Sequence, residues 1–159
     1  MSTLPFRVLF ICMGNICRSP AAEIVFHHLL EAENLTESIH TDSAGTIGYH
    51  KGSAPDPRMS ETLRRRGYRI FGKSRPIKPE DLEIFDLILV ADQENLRDVL
   101  ALAKDNQPTG HIQLLTDYCT RHESTHVPDP YYGGNKGFET VANLVEDACQ
   151  NLLKKVRQS

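Results

Sequence analysis

Cys12-Met-Gly-Asn-Ile-Cys17-Arg18-Ser19 sets a thiol and, six residues on, a guanidinium at the two ends of a turn that contains Gly14 and Asn15. The run before it, Arg7 to Cys12 (RVLFIC), is apolar and β-rich, and Ser19 with Pro20 offers an N-cap and an N1 proline to the segment after it. A loop that curls from a strand end into a helix N-terminus turns successive backbone N–H groups around an anion-sized space, which suits a tetrahedral oxyanion. Gly14 and Asn15 tolerate the positive φ such a turn needs, and Arg18 can grip two oxygens of one anion. An arginine in a first helical turn opposes the helix dipole, so it calls for a reason to be there. A cysteine facing both Arg18 and the helix N-terminus is expected to be a thiolate at neutral pH, because such settings lower the thiol pKa well below about 8.5. Cys12 is then a nucleophile aimed at the bound anion.

Two other patterns compete. Gly67-Tyr-Arg-Ile-Phe-Gly72-Lys73-Ser74 matches the G-x-x-x-x-G-K-[ST] nucleotide loop, which needs a strand before it and a helix starting at the lysine. Here a helical segment ending in Arg64, Arg65 and Arg66 precedes it, and Pro76 and Pro79 follow, so Gly67 reads as a helix C-cap with Ile70 and Phe71 packed on the core. His122-Glu123-Ser-Thr-His126 matches the zinc-binding H-E-x-x-H, with Glu146 or Cys119 as further ligand candidates. That chemistry needs a helix, whereas Thr120 to His126 is polar all round and stops at Pro128, so a solvated loop and no metal are expected.

The chain has 159 residues, 18 Lys plus Arg against 21 Asp plus Glu, a net charge of −3 and 40% apolar positions. A single domain over 1–159 with a substantial core is expected. No basic cluster exceeds three arginines, so no nucleic-acid footprint is present, and any anion must be held locally. The longest apolar run, Val8 to Met13, is far short of the roughly 18 residues of a membrane span, and the N-terminus lacks a cleavable signal pattern. A cytoplasmic protein away from membranes is expected, with Cys12, Cys17, Cys119 and Cys149 reduced.

The elements that must position Cys12 and Arg18 follow from periodicity. After the first strand, Ala22, Val25, Phe26, Leu29 and Leu30 form the apolar stripe of a helix that ends near Asn34. Ile39 to Ala44 reads as a strand. Asp56 and Pro57 open a helix that runs through Leu63 and stops at Gly67, and a short helix starts at Pro79. Leu87 to Ala91 is apolar on both faces, as in a central parallel strand, and Asp92 caps a helix that buries Leu96, Val99, Leu100 and Ala103. Ile112 to Leu115 is the fourth strand, and a last helix carries Phe138, Val141, Ala142, Val145, Ala148, Cys149, Leu152, Leu153 and Val156 on one stripe. Alternating strands and helices predict a doubly wound, flavodoxin-like α/β fold: a four-stranded parallel sheet of order 2-1-3-4 with helices on both faces. Its switch point, where ligands bind, lies between strands one and three, at the Met13–Arg18 loop.

Val8-Leu-Phe-Ile-Cys12-Met-Gly-Asn-Ile-Cys17-Arg18-Ser19-Pro20 together with Asp129-Pro130-Tyr131-Tyr132 resembles the low-molecular-weight protein tyrosine phosphatases. Asp42-Ser43-Ala44-Gly45-Thr46, Asp56-Pro57-Arg58, Lys73-Ser74-Arg75 and Asp92 with Asn95-Leu96-Arg97 look like that family's later motifs in the same order. The resemblance implies metal-independent hydrolysis of phosphotyrosine, without a cofactor, through a phosphocysteine on Cys12. Arg18 and the loop of Met13, Gly14, Asn15, Ile16 and Cys17 would hold the phosphate, and Asp129 would serve as acid and then base. It assigns Ser19 to the Cys12 sulfur, Asn15 and Ser43 to the shape of the loop, and Asp92 to its support. Tyr49, Tyr131 and Tyr132, with Met13 and Ile16, would wall a slot deep enough for phosphotyrosine and too deep for phosphoserine. It also implies a reversible Cys12–Cys17 disulfide.

The chain departs from the family at Gly72, where many members carry a His that tethers the loop's Asn, and at Tyr49, where a Trp is common. Expected partners are tyrosine-phosphorylated proteins, with the chain itself a monomer or weak homo-oligomer. The rival readings are an arsenate reductase on the same fold, which needs redox cysteines between residues 80 and 90 that this chain lacks, and a non-catalytic phosphoprotein-binding module, which has no need of Asp129.

Overall fold

The computed structural model describes residues 4–131 and 134–157, so Tyr132 lies outside the described residues. Four parallel strands, β1 (Phe6–Cys12), β2 (Ile39–Gly45), β3 (Leu87–Val90) and β4 (Ile112–Leu114), form one sheet in the order β2-β1-β3-β4. This is the expected doubly wound architecture. In register, Cys12 lies beside Gly45 and Ile11 beside Val90, so the carboxyl ends of the three strands nearest the switch point finish together.

Strand alternation sorts β1 between two cores. Val8, Phe10 and Cys12 face the layer of α1 (Arg18–Ala32), α2 (Pro57–Arg65) and α5 (Asn135–Arg157), whereas Leu9 and Ile11 face α3 (Asp81–Ile84) and α4 (Gln93–Leu100). The whole expected stripe of α5, from Phe138 to Val156, is buried. Helix α1 is buried on more than one side, because it lies between the sheet and α5.

Three local expectations need correction. The first helix begins at Arg18 with Cys17 at its cap, and Ser19 sits inside the first turn rather than capping it. Its hydroxyl is taken by other partners, described below. Leu100 is 39% exposed, because α4 is a short edge helix whose buried contacts come from Asn95 and Val99. The fourth strand stops at Leu114, and Leu115 opens a 3-10 turn.

Gly67 terminates α2 at φ +93°, with the Gly67 N–H on Arg64 O and the Tyr68 N–H on Leu63 O. That is a Schellman C-cap. Ile70 and Phe71 pack on the core beyond it, so this match to the nucleotide-loop pattern is a helix ending.

Candidate active site

The loop between β1 and α1 is shaped by three constraints. Asn15 takes the left-handed conformation, φ +56°, while Gly14 keeps a negative φ and is small for another reason: a Cβ there would lie 3.1 Å from the His50 ring. At the end of β2, a Cβ on Gly45 would lie 2.7 Å from Met13 O, so the neighbouring strand can approach the loop only as glycine. A strap from residues 74–77 runs alongside, with the Ser74 hydroxyl on Gly14 O at 3.1 Å and the Arg75 N–H on Asn15 Oδ1 at 3.0 Å. Among the described residues the backbone N–H groups of Met13 to Cys17 donate to no protein acceptor, which leaves them for an oxyanion.

Asn15 is 1% exposed, and its side chain points away from the cleft. Its amide donates to Ser19 Oγ at 2.7 Å and to Ser43 Oγ at 3.0 Å. Ser19 Oγ in turn lies 3.0 Å from the Cys12 sulfur. The hydroxyl expected to cap α1 therefore serves the thiol. Ser43 completes the set by donating to Glu23 Oε1 at 2.7 Å.

Arg18 is buried, and its position is set from the far side of the sheet. Nη1 donates to Asp92 Oδ2 at 2.6 Å and to Val127 O at 3.1 Å, and Nη2 faces Asp129 Oδ2 at 3.7 Å. Burial works against the guanidinium charge, but Cys12, Asp92 and Asp129 outweigh it and hold the Arg18 pKa above its ordinary value. Asp92 does two jobs: Oδ1 caps α4 by accepting the Asn95 N–H at 2.8 Å, and Oδ2 takes the arginine. This pairing is why an arginine is tolerated in the first turn of α1.

Asp129 stands on the loop between Pro128 and Pro130, exposed, with its Oδ1 accepting the Tyr131 N–H at 3.1 Å. Arg58, held by Asp56, lies over the rings of both Tyr131 and Phe138, which ties this loop to α2 and α5. Cys12, Cys17, Arg18 and Asp129 all line one cleft of about 330 Å³. Cys17 is buried, and burial, then Asp56, pushes its thiol up.

The chain matches the family model for the low molecular weight phosphotyrosine protein phosphatases over residues 7–159. The chain belongs to that family. A Synechocystis protein assigned to the low molecular weight protein-tyrosine-phosphatases is 48% identical over 147 residues, covering 92% of this chain and 94% of its own. The crystal structure of a protein tyrosine phosphatase from Entamoeba histolytica superposes with a TM-score of 0.92 at 42% identity, over 96% of this chain and 97% of that one. A Drosophila arginine phosphatase superposes at 0.86 with 34% identity, over 94% and 96%.

Within this phosphatase fold the cleft wall comprises Met13, Gly14, Ile16, Ile47, Tyr49, His50 and Tyr131 as well as the groups above. Tyr49 is 84% exposed, so it stands at the mouth rather than deep in the slot. Ile47 and His50 escaped the sequence reading. The available signal was positional: both follow the carboxyl end of β2, which adjoins β1 at the switch point. Gly72, where the family's His is absent, lies at φ +102°, and a Cβ there would be 3.9 Å from Glu23 Oε1. Asn15 is nonetheless held at both ends, by Ser19 and Ser43 on its amide and by the Arg75 N–H on its oxygen.

The H-E-x-x-H segment is a loop. His122, Glu123 and His126 are exposed, and the backbone of residues 120–122 is fastened from beneath by Asp147. The helical face that a zinc pair needs is not formed.

Proposed function

We propose that this phosphatase hydrolyses phosphotyrosine on proteins through a phosphocysteine, with Cys12 as nucleophile, Arg18 as phosphate ligand and Asp129 as acid and base. The carrying observation is that Cys12, Arg18 and Asp129 line one cleft with Met13, Gly14, Ile16 and Cys17, from the loop whose amides have no protein acceptor among the described residues.

The phosphoryl group sits in the loop, with its equatorial oxygens on those amides and on Arg18, whose guanidinium Asp92 already aims. The Cys12 thiolate forms the S–P bond as the bond from phosphorus to the phenolic oxygen breaks. Protonated Asp129 gives its proton to that oxygen, because a phenolate of pKa about 10 leaves far better neutralised. Water then attacks the phosphocysteine, Asp129 takes the water's proton, and the S–P bond breaks to give inorganic phosphate and the thiolate. Ser19 donates to the sulfur and favours its charged form at both ends of the cycle.

Ile16, Ile47, Tyr49 and Tyr131 make the cleft wall apolar and aromatic, which supports an aryl substrate over phosphoserine. A cytoplasmic setting, where the thiols stay reduced, belongs to this reading. The structural likeness to an arginine phosphatase supports one competitor, a phosphoarginine substrate. The test is hydrolysis of para-nitrophenyl phosphate, a phosphotyrosine peptide and a phosphoarginine peptide, with chelator present, by wild type and Cys12→Ser. Turnover of the two aryl substrates that is lost in Cys12→Ser supports the proposal. Preference for phosphoarginine replaces the substrate class, and turnover that survives in Cys12→Ser removes the mechanism.

A further inference from the structure

We infer that Glu23 is a positioning residue of this site: through Ser43 and Asn15 it holds the hydroxyl that Ser19 directs at the Cys12 sulfur. The inference follows from the direction of the hydrogen bonds. The Asn15 amide has two N–H groups and gives one to Ser19 Oγ, the other to Ser43 Oγ. Each hydroxyl has therefore accepted from Asn15 and must send its own proton outward. Ser43 sends its proton to Glu23 Oε1 at 2.7 Å, and Ser19, whose other acceptor is the more distant Ala44 O at 3.5 Å, sends its proton to the sulfur at 3.0 Å when Cys12 is the thiolate of the proposed reaction. The relay thus ends on a hydrogen-bond acceptor on either side of Asn15, the Cys12 sulfur at one end and the Glu23 carboxyl at the other. Removing the outer acceptor frees Ser43 to turn its proton back toward Asn15, which displaces the amide that orients Ser19.

Glu23 lies against the small gap beside Gly72, where this chain supplies no side chain to share its charge. Burial, offset in part by the Ser43 hydrogen bond, pushes its carboxyl up to about 7. The charged groups that face it are Asp42 on β2, which pushes the same way, Arg75 on the strap, which opposes, and Lys73, which borders the gap. The tension of the relay therefore changes with the protonation of Glu23 near neutral pH, where the carboxylate is the stronger acceptor.

The inference rests on the phosphatase reading, and the experiment separates the two. The kcat and KM of wild type, Glu23→Ala and Glu23→Gln for para-nitrophenyl phosphate are measured from pH 5 to 9, alongside the pH dependence of Cys12 alkylation by iodoacetate. Expected for Glu23→Ala is a fall in kcat of about tenfold with KM changed less than about threefold, and alkylation that needs a higher pH. Glu23→Gln, whose amide oxygen still accepts from Ser43, should recover most of that loss and erase the inflection near pH 7. A Glu23→Ala enzyme that matches wild type in kcat and in alkylation overturns the inference. Should Glu23→Ala not fold, Glu23→Gln decides it, since an unchanged pH profile in that variant overturns it too. A wild type inert toward every phosphoester sinks the phosphatase reading instead, and the alkylation profile still tests the relay.

Discussion

Two loops of this molecule gather backbone N–H groups around a negative charge, and they differ in where the charge comes from. At residues 120–122 the charge is resident: the Asp147 carboxylate, fully buried on α5, accepts the N–H groups of Thr120, Arg121 and His122 at 2.9 to 3.2 Å, with Asn151 adding another donor. At residues 13–17 the amides have no protein acceptor among the described residues, and beside them lie Cys12, Arg18 and the mouth of a cleft. The first loop is finished by the fold itself, whereas the second, in the function proposed above, is completed by a substrate. Local backbone geometry does not separate an anchor from an active site. The separation lies in whether the chain supplies its own anion.

Breaking each loop should therefore give opposite signatures. Cys12→Ser should lower kcat by about 10⁴ or more while the thermal midpoint moves little, since the exchange is nearly isosteric. Arg18→Lys keeps the charge but loses the planar fork, and should reduce kcat/KM by about 10² to 10³. Asp147→Ala should do the reverse. It removes the acceptor shared by three backbone amides and costs about 1 to 3 kcal/mol in urea unfolding, with kcat per folded molecule close to wild type. An Asp147→Ala protein that keeps its stability, or that folds normally and loses turnover, would break the comparison.

The contrast also shows what the sequence could and could not disclose. The loop that brings Cys12 and Arg18 to one cleft was legible because Cys12, Gly14, Asn15 and Arg18 fall within seven residues between a readable strand and a readable helix. Local spacing showed Asp92 only as a cap, and its support of the loop came from the family resemblance; its grip on Arg18 spans 74 residues and leaves no local trace. Ser19 was misread only as a cap, since a serine before a proline at a helix start ordinarily caps; the resemblance had also placed its hydroxyl on the Cys12 sulfur, and here the sulfur and Asn15 engage it. Asp147 gave no signal at all: an acid flanked by the buried Val145 and Ala148 looks like a residue of the solvent face until the 120–122 loop is seen to wrap it. Glu23 was hidden for the same reason, because its burial depends on β2 and on the strap around Gly72 rather than on its own helix.

Those two carboxylates, one fully buried and one half-buried, sharpen the comparison further, since their pKa values move in opposite directions. The Asp147 carboxyl is held below the ordinary value: burial alone would raise it, and the three N–H donors outweigh that. Its stabilisation is present above the unfolded value of about 3.9 and is lost as pH falls through the folded one. Glu23 is raised to about 7, so its contribution is complete below the unfolded value of about 4.3 and fades as pH rises through 7. Urea unfolding from pH 3 to 9 should show an acid limb that Asp147→Asn flattens. It should also show a decline on the order of 2 kcal/mol between pH 5 and 8 that Glu23→Gln removes. A Glu23→Gln variant with the wild-type slope across that range would mean that Glu23 is already ionised at pH 5.

The smallest expected effect in reducing buffer belongs to the Cys17 side chain, which lines the cleft yet has no part in the proposed phosphoryl transfer beyond its backbone N–H. Its thiol is buried and pushed up, so it stays protonated and does not compete with Cys12 as nucleophile. Cys17→Ser should therefore change kcat less than about threefold, in keeping with a near-isosteric change away from the reacting atoms. Peroxide should expose its use. Hydrogen peroxide oxidises the Cys12 thiolate to a sulfenic acid, and the Cys17 sulfur can then attack that sulfur, releasing water and closing a disulfide that dithiothreitol reopens. Wild type should recover most of its activity after peroxide and thiol treatment, whereas Cys17→Ser should pass on to sulfinic acid and stay inactive. Equal recovery of the two would show that Cys17 fills the wall of the cleft and does nothing for the sulfur beside it.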